Sequence, residues 1–176
     1  MTARTALQLL LVFLPMLAEA WLAARNERKQ RARGGIEPPG DVYRLMRVAY
    51  PTAFAAMIAE GVWDPAHAWW VTGLALFAAA KALKWWAVGT LGQAWTFRVI
   101  VRPAVPLVVG GPYRVLRHPN YVAVVGELVG VALMSGARIF GPLMTLMFGV
   151  LMLKRMAVED RALELVRRSI APFPDL

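Results

Sequence analysis

The sequence contains no cysteine and only two histidines, His67 and His118, among 176 residues. Without cysteine, the chain has no disulfide bonds, no thiolate metal sites and no cysteine nucleophile. It also lacks a Gly-x-Gly-x-x-Gly motif after a strand and a Walker-type loop, which excludes a Rossmann nucleotide site and a P-loop. Any nucleotide-like cofactor must therefore be held by other means.

Apolar residues, by contrast, are abundant. They make up 59% of the chain, with seven tryptophans and a mean hydropathy of +0.50, which exceeds what one soluble core of this size requires. The composition predicts an all-α, polytopic membrane protein in which residues 1–176 form a single domain. A helix crosses the hydrocarbon layer with about 20 residues. Five segments reach or approach that length, and the second is short enough to be re-entrant: 5–24, 47–62, 68–88, 119–134 and 139–153.

Basic residues are concentrated in three segments, 25–47, 98–117 and 154–168. The two remaining connections, 63–67 and 135–138, carry a single arginine between them. With five spans, all three basic segments lie on the same side of the membrane. The positive-inside rule assigns that side to the cytoplasm and predicts that the N-terminus lies outside.

This topology accounts for the net charge of +9, because cytoplasmic cations face anionic headgroups, so we expect no nucleic-acid partner. It also places His67 and His118 on opposite sides of the membrane, where they cannot share a metal ion, and we expect no metal site. Sixteen arginines against four lysines favour a bacterial source. We therefore expect a bacterial inner-membrane protein whose functional site faces the cytoplasm.

The N-terminal apolar segment has a second interpretation. It resembles a secretory signal, because Ala18-Glu19-Ala20 follows the apolar run like a cleavage site. Five cations follow at once, within residues 25–33, and would resist translocation. We therefore expect an uncleaved first span.

Two cytoplasmic segments are predicted beside the spans. Residues 89–112 contain two prolines and a Gly-Gly pair, which favours an ordered loop with a short strand-like piece before the fourth span. Residues 154–170 are predicted to form a C-terminal helix at the inner membrane surface, near residues 117–121.

Three ionisable residues lie inside the apolar segments. Lys81 and Lys84 fall near the inner end of the third span, where we expect them to snorkel toward the headgroups. Glu127 lies in the middle of the fourth span, where an ionisable residue is usually paired or functional. It can form a salt bridge to Lys81, Lys84 or Arg155, or act as a structural or substrate-gating group that faces the substrate.

The most informative stretch is residues 111–121, which places cations and aromatic rings directly against an apolar run at 122–134. Polar groups at the edge of the hydrocarbon must be satisfied by water, protein or ligand. The stretch therefore predicts a site where a cytosolic ligand meets a lipid-dissolved one.

Three motifs are informative in combination: Gly111-Pro112-Tyr113, Arg117-His118-Pro119-Asn120-Tyr121 and Arg155-x-x-x-Glu159-Asp160. Together they resemble the isoprenylcysteine carboxyl methyltransferase family. The resemblance is good over residues 81–165, and residues 83–92 with Trp95-Thr96 are similar to its bacterial members, including those that methylate alkylpyrones or alkylresorcinols. Phospholipid methyltransferases and membrane sterol-type reductases share the His-Pro-x-Tyr piece alone.

The resemblance implies a membrane methyltransferase that uses S-adenosylmethionine, with the cofactor half at about residues 81–170. Two positions depart from the family pattern: Asp160 replaces the usual glutamate, and Ala123 replaces a frequent glycine. The implied cofactor-binding residues are Tyr113, Arg117, His118, Pro119, Asn120, Tyr121, Glu159 and Asp160.

We take Arg155 and Glu127 as the candidate catalytic residues. A charged cofactor can be paired through Glu159 at its ammonium or ribose and through Arg117 or Arg155 at its carboxylate. A phenolic acceptor, with a pKa near ~10, would need a base such as Glu127 or His118, whereas a carboxylate would not.

The predicted reaction transfers a methyl group to an oxygen, a carboxylate or acidic hydroxyl, of a lipophilic small molecule or a prenylcysteine-like acceptor. Three alternatives stay open: phospholipid N-methylation, a reductase using NADPH, and a small membrane scaffold without enzymatic activity. Residue by residue, His118 could simply begin a helix before Pro119, and Glu159 and Asp160 could be a solvated helix face.

Overall fold

A computed structural model describes residues 2–102 and 108–170, without the side chains of Ala66 and of residues 165–170. The described residues form five α-helices, short 3-10 turns and one isolated β-bridge, which confirms the all-helical prediction with about five helices. The helices are α1 (Ala3–Ala32), α2 (Tyr43–Trp63), α3 (Trp70–Leu91), α4 (Pro119–Ser135) and α5 (Phe140–Ile170).

Three of the described helices are long and apolar enough to cross a membrane, within Ala3–Ala32, Trp70–Ala94 and Phe140–Glu164. Helix α4 is apolar but shorter, with 17 residues. These helices fit an integral membrane protein. The crossing of α2, the sidedness of the chain and the position of the N-terminus stay predictions.

Helix α5 is longer than the predicted fifth span. It runs through residues 154–170 without a break, because no glycine or proline interrupts the sequence there. The helical prediction for this segment is therefore confirmed, although the segment continues α5 instead of forming a helix of its own, and its place at the inner membrane surface stays a prediction. Helix α1 likewise continues past the apolar run to Ala32 and ends just before Gly34 and Gly35, so several of the basic residues lie on its last turns.

Close contact between α3 and α4 forms the centre of the bundle. A Cβ atom on Gly130 would lie 2.8 Å from the backbone nitrogen of Phe77, and one on Gly126 would lie 2.9 Å from Ala80 Cβ. Small residues allow helix backbones to approach closely, and the resulting packing replaces a hydrophobic driving force that is absent in lipid. This contact fixes the first turns of α4 relative to the end of α3.

Helix α2 packs against both α4 and α5. The Glu60 carboxylate accepts hydrogen bonds from the backbone nitrogens of Ile139, at 2.8 Å, and Phe140, at 2.7 Å. It thereby satisfies two of the unpaired donors at the start of α5 and places a negative charge at the positive end of its dipole.

The connections after α1 and α3 lie against each other. Ile36 and Val101 exchange two backbone hydrogen bonds, of 2.9 and 3.0 Å, which is the short strand-like piece of the predicted loop. Glu37 is bound by Arg31 and Arg98. Burial acts to raise the pKa of Glu37, but these hydrogen bonds and positive charges lower it overall.

Candidate active site

The site begins at the start of α4. Pro119 occupies the first helical turn, where its missing N–H costs nothing, and the His118 carbonyl accepts the first helical hydrogen bonds from Tyr121 and Val122. The rings of His118 and Tyr121 consequently lie on one side of the helix, with centroids 5.5 Å apart. The segment before them turns at Gly111, whose φ is 53° and whose missing side chain leaves room for Thr90.

Helix α5 meets this turn with two residues of its own. Tyr121 donates a hydrogen bond to Glu159 Oε2 at 2.8 Å, and Arg155 Nε donates one to the Tyr121 hydroxyl oxygen at 3.1 Å. Arg155 and Glu159 are four residues apart, so they lie on the same face of the helix. The structure therefore brings together two predicted motifs that are distant in sequence.

The second acid of the motif lies beside His118. Asp160 Oδ1 is 3.3 Å from His118 Nε2 and 3.4 Å from an Arg117 nitrogen. The contact between His118 and Asp160 is not a hydrogen bond, and among the described residues the buried Nε2 of His118 has no hydrogen-bond partner. Arg117 itself is 80% exposed, so it lies at the rim of the site.

Two further predicted residues complete the polar end. Asn120 Oδ1 is buried, and it too has no hydrogen-bond partner in the described part of the chain. Tyr113 lies within electrostatic range of Glu159. Burial, and then the negative charge of Glu159, raise the pKa of the Tyr113 hydroxyl, so it keeps its proton and remains a donor.

Glu127 is not part of this group. It lies six residues after Tyr121 in α4, which is about 9 Å along the helix axis. Its carboxylate is 3.0 Å from Lys81 Nζ and 3.3 Å from Lys84 Nζ, and Tyr50 donates a hydrogen bond to it. Glu19 from α1 binds both ammonium groups at 2.7 Å.

This cluster decides two of the predictions. The snorkelling of the lysines is wrong, because Lys84 is 3% exposed and both ammonium groups turn inward to carboxylates. The salt bridge of Glu127 to Lys81 and Lys84 is confirmed. The third option, a pair with Arg155, is wrong, since the guanidinium of Arg155 binds another acid.

That acid is Asp41, which the sequence reasoning missed. Asp41 Oδ1 is 3.1 Å from an Arg155 nitrogen and also accepts a hydrogen bond from the Tyr43 backbone, while Oδ2 accepts one from the Val99 backbone. The only signal in the sequence is an aspartate directly after the Gly-Pro-rich connection and before a helix. That pattern predicts a cap, and nothing in it indicates the distant arginine.

A cavity of about 410 Å³ opens beside these polar groups and is lined by residues from all five helices. Its wall is largely apolar. Of the described residues that line it, three are basic and none is acidic. The apolar side chains include Phe13, Met16, Leu17, Met46, Val124, Phe148 and Met152, and the polar or charged ones include Arg47, Tyr50, Lys84, Asn120, Tyr121 and Arg155.

The arrangement is therefore a polar site at the end of an apolar cavity, with two buried atoms that have no hydrogen-bond partner among the described residues. Of the ten residues predicted from the sequence, Tyr113, His118, Asn120, Tyr121, Arg155, Glu159 and Asp160 converge there. Pro119 sets the helix start, Arg117 lies at the rim, and Glu127 lies apart. Among the described residues, no group of three acidic or histidine side chains could hold a metal ion.

Comparison with known proteins gives two matches. Residues 72–165 match the sequence model of the isoprenylcysteine carboxyl methyltransferase (ICMT) family. The chain is also 31% identical over 149 residues to the uncharacterized protein YpbQ of Bacillus subtilis (strain 168). The aligned region covers 84% of this chain and 89% of the relative. No solved structure matches. The family match contains most of α3, all of α4 and the site-forming part of α5, whereas Glu19, Asp41 and Tyr50 precede it.

Proposed function

The chain belongs to the isoprenylcysteine carboxyl methyltransferase family, and from this premise we propose that it transfers a methyl group from S-adenosylmethionine to an oxygen of a lipophilic acceptor. Family membership supports a membrane methyltransferase with an isoprenylcysteine-like substrate. The donor, the oxygen nucleophile and the site residues are our proposal, and the following contacts support it.

The polar end suits a ligand with many donors and acceptors. His118 Nε2 and Asn120 Oδ1 are buried without a hydrogen-bond partner in the described chain, and leaving such an atom unpaired costs about 1–3 kcal/mol. S-adenosylmethionine has an ammonium, a carboxylate, ribose hydroxyls and an adenine ring. Glu159 would hold its ammonium or ribose, and Arg155 its carboxylate. When bound, the cofactor supplies a methyl group attached to a positively charged sulfur, and the sulfur keeps the electron pair of the carbon–sulfur bond that breaks.

The cavity suits an acceptor with an apolar tail. Its aliphatic and aromatic wall would cover the tail, and Tyr121, Asn120 and Arg155 stand at the end where the reacting oxygen would lie. Methyl transfer needs alignment of the nucleophile and exclusion of water more than it needs a covalent group from the protein. An already ionised oxygen requires no general base, which agrees with the absence of acidic residues among the described cavity-lining residues.

One observation carries the proposal. The hydrogen-bonded series from Arg155 to Tyr121 to Glu159, with distances of 3.1 and 2.8 Å, joins the two motifs beside the cavity. A solvated helix face would not place Glu159 on a buried tyrosine, so that alternative interpretation loses its support. A capping role for His118 is compatible with the geometry, but it does not explain why the buried Nε2 has no hydrogen-bond partner among the described residues.

Calorimetric titration of the detergent-solubilised protein with S-adenosylhomocysteine tests the cofactor site. We expect binding by the wild-type protein and a loss of about tenfold or more in Glu159→Ala, because a charge-assisted contact to the ligand is removed. Glu164→Ala, an exposed position on the same helix, is the matched control and should bind like the wild type. Equal affinity in Glu159→Ala and the wild type would remove the proposed site.

Incubation with a radiolabelled methyl donor and a total lipid extract tests the acceptor. We expect label in a methyl ester or ether of a lipophilic compound, released by ester or ether cleavage. Label on the amine of a phospholipid headgroup would replace oxygen by nitrogen as the nucleophile and contradict the proposal.

A further inference from the structure

Four ionisable side chains are buried together between α1, α3 and α4. Glu19 and Glu127 are each 1% exposed, Lys84 is 3% and Lys81 is 12% exposed. A buried ion cluster gains little stability over apolar packing, because desolvation offsets the attraction between its charges. Within membrane-spanning helices such residues usually face a cavity and mark a functional site.

The two lysines are not equivalent. Both ammonium groups contact both carboxylates, at 2.7 to 3.3 Å. Only Lys84, however, lines the 410 Å³ cavity, next to Tyr50, whose ring lies 5.3 Å from Lys84 Nζ. Lys81 and the two glutamates are not among the described cavity-lining residues. The cluster is electrically balanced, and among the described residues Lys84 is its one member that lines the cavity.

The other two cations of the cavity are differently placed. Arg155 contacts Asp41 and Tyr121 at the polar end, where we propose that the cofactor binds, and Arg47 is exposed. Lys84 is thus the other buried cation of the described cavity wall, and its partners Glu19 and Glu127 are not among the described lining residues. An anion in the cavity would meet this ammonium and no opposing carboxylate among the described lining residues.

We propose that Lys84 binds the anionic group of the acceptor and makes the cavity selective for anionic over neutral amphiphiles of the same shape. This inference rests on the proposed methyl transfer and names the residue that chooses its acceptor. A carboxylate or a delocalised enolate shares its charge between two oxygens, and either oxygen can contact the Lys84 ammonium. Glu19 and Glu127 act as positioning residues, because their carboxylates hold the ammonium in place at 2.7 and 3.3 Å.

The test compares Lys84→Met with Lys81→Met, each of which removes one ammonium from the same pair of carboxylates. The probes are N-acetyl-S-farnesylcysteine, an anion, and its carboxamide, a neutral molecule with the same tail. We expect wild type and Lys81→Met to bind the acid more tightly than the amide. In Lys84→Met, the KM for the acid should rise by about tenfold, and the preference over the amide should vanish, because a charge-assisted contact is lost. Lys84→Arg, which keeps the charge, should retain the preference.

The readouts separate the two proposals. Affinity for S-adenosylhomocysteine should be the same in all variants, since Lys84 does not belong to the cofactor end. If the wild-type protein neither binds S-adenosylhomocysteine nor transfers a methyl group, the proposed function is refuted. The role of Lys84 can still be tested in that case, by comparing how far the acid and the amide each raise the melting temperature. Equal changes in Lys81→Met and Lys84→Met would show a purely structural cluster and overturn the inference.

A protein with an unbalanced cluster can fail to fold. The double variant Lys84→Met with Glu19→Gln removes one positive and one negative charge and therefore keeps the cluster balanced. We expect this variant to fold and to lose the preference for the acid. A preference equal to that of the wild type would overturn the inference.

Discussion

The hydroxyl of Tyr121 donates a hydrogen bond to Glu159 Oε2 at 2.8 Å, although the two residues are 38 positions apart. The same hydroxyl oxygen accepts a hydrogen bond from Arg155 Nε at 3.1 Å, so one phenol connects a buried cation to an anion. Charge-assisted hydrogen bonds of this kind are stronger and more directional than neutral ones. The position of Glu159 therefore depends on the Tyr121 hydroxyl and on the packing of α4 against α5.

Tyr121→Phe keeps the ring and removes only this connection. A hydrogen bond to a charged group is worth about 1.5–3 kcal/mol, so we expect kcat/KM for methyl transfer to fall by roughly 10- to 100-fold. Initial rates with a radiolabelled donor measure the effect, and far-ultraviolet circular dichroism checks that the helices are intact. An unchanged rate in a folded variant would mean that Glu159 is positioned by other contacts.

Asp41→Asn tests the acid that binds Arg155. The amide keeps an acceptor for a backbone N–H but loses the charge that pairs with the guanidinium. We expect kcat to fall by about tenfold, since about 1.4 kcal/mol of positioning is lost at the reacting end. Asp64→Asn, at the opposite end of the bundle, is the control and should retain the wild-type rate. Equal rates in both variants would contradict a positioning role for Asp41.

Gly130→Ala tests the close contact of α3 and α4. The added Cβ would lie 2.8 Å from the Phe77 backbone nitrogen, a distance that forces the helices apart. Overpacking costs typically 1–3 kcal/mol, so the melting temperature should fall by several degrees. Gly149→Ala is the matched control, because a Cβ there meets nothing within 4 Å, and it should melt at or above the wild-type temperature. A similar fall in both variants would point to a general intolerance of the helices to alanine.

The lowered pKa of Glu37 predicts that the stability of the protein depends on pH. Its pKa is lowered in the folded protein from the ordinary value of 4.5, in spite of burial, by Arg31 and Arg98. A lowered pKa contributes stability that is present above 4.5 and is lost as the pH falls through the folded value. We therefore expect the wild type to melt above Glu37→Gln at about pH 6, and the difference to shrink below about pH 4. A difference that stays constant with pH would show that the carboxylate is not the cause.

Much of the site follows from spacing alone. Arg155 and Glu159 are one helical turn apart, so a helix places both on one face wherever it packs. Pro119 after His118 indicates the start of α4 and sets the orientation of Tyr121. These relations are local, and the backbone geometry of a helix enforces them without knowledge of the fold.

The remaining parts of the site depend on which helices touch. Asp41 stands 114 positions before Arg155, and its sequence neighbours indicate only a loop and a cap. The lysines near the end of α3 have the position of snorkelling residues. They turn inward because two other helices place the carboxylates of Glu19 and Glu127 beside them. No periodicity within one segment contains that information.

The sequence by itself determined the class of the protein, its apolar helices and the residues of its polar motifs, because composition and helical spacing act over a few turns of one chain segment. The tertiary structure decided which charges meet: Asp41 with Arg155, Glu159 with Tyr121, and two glutamates with two lysines. Charges buried in an apolar bundle must find partners at a few ångströms, and only the packing of the helices brings those partners within reach.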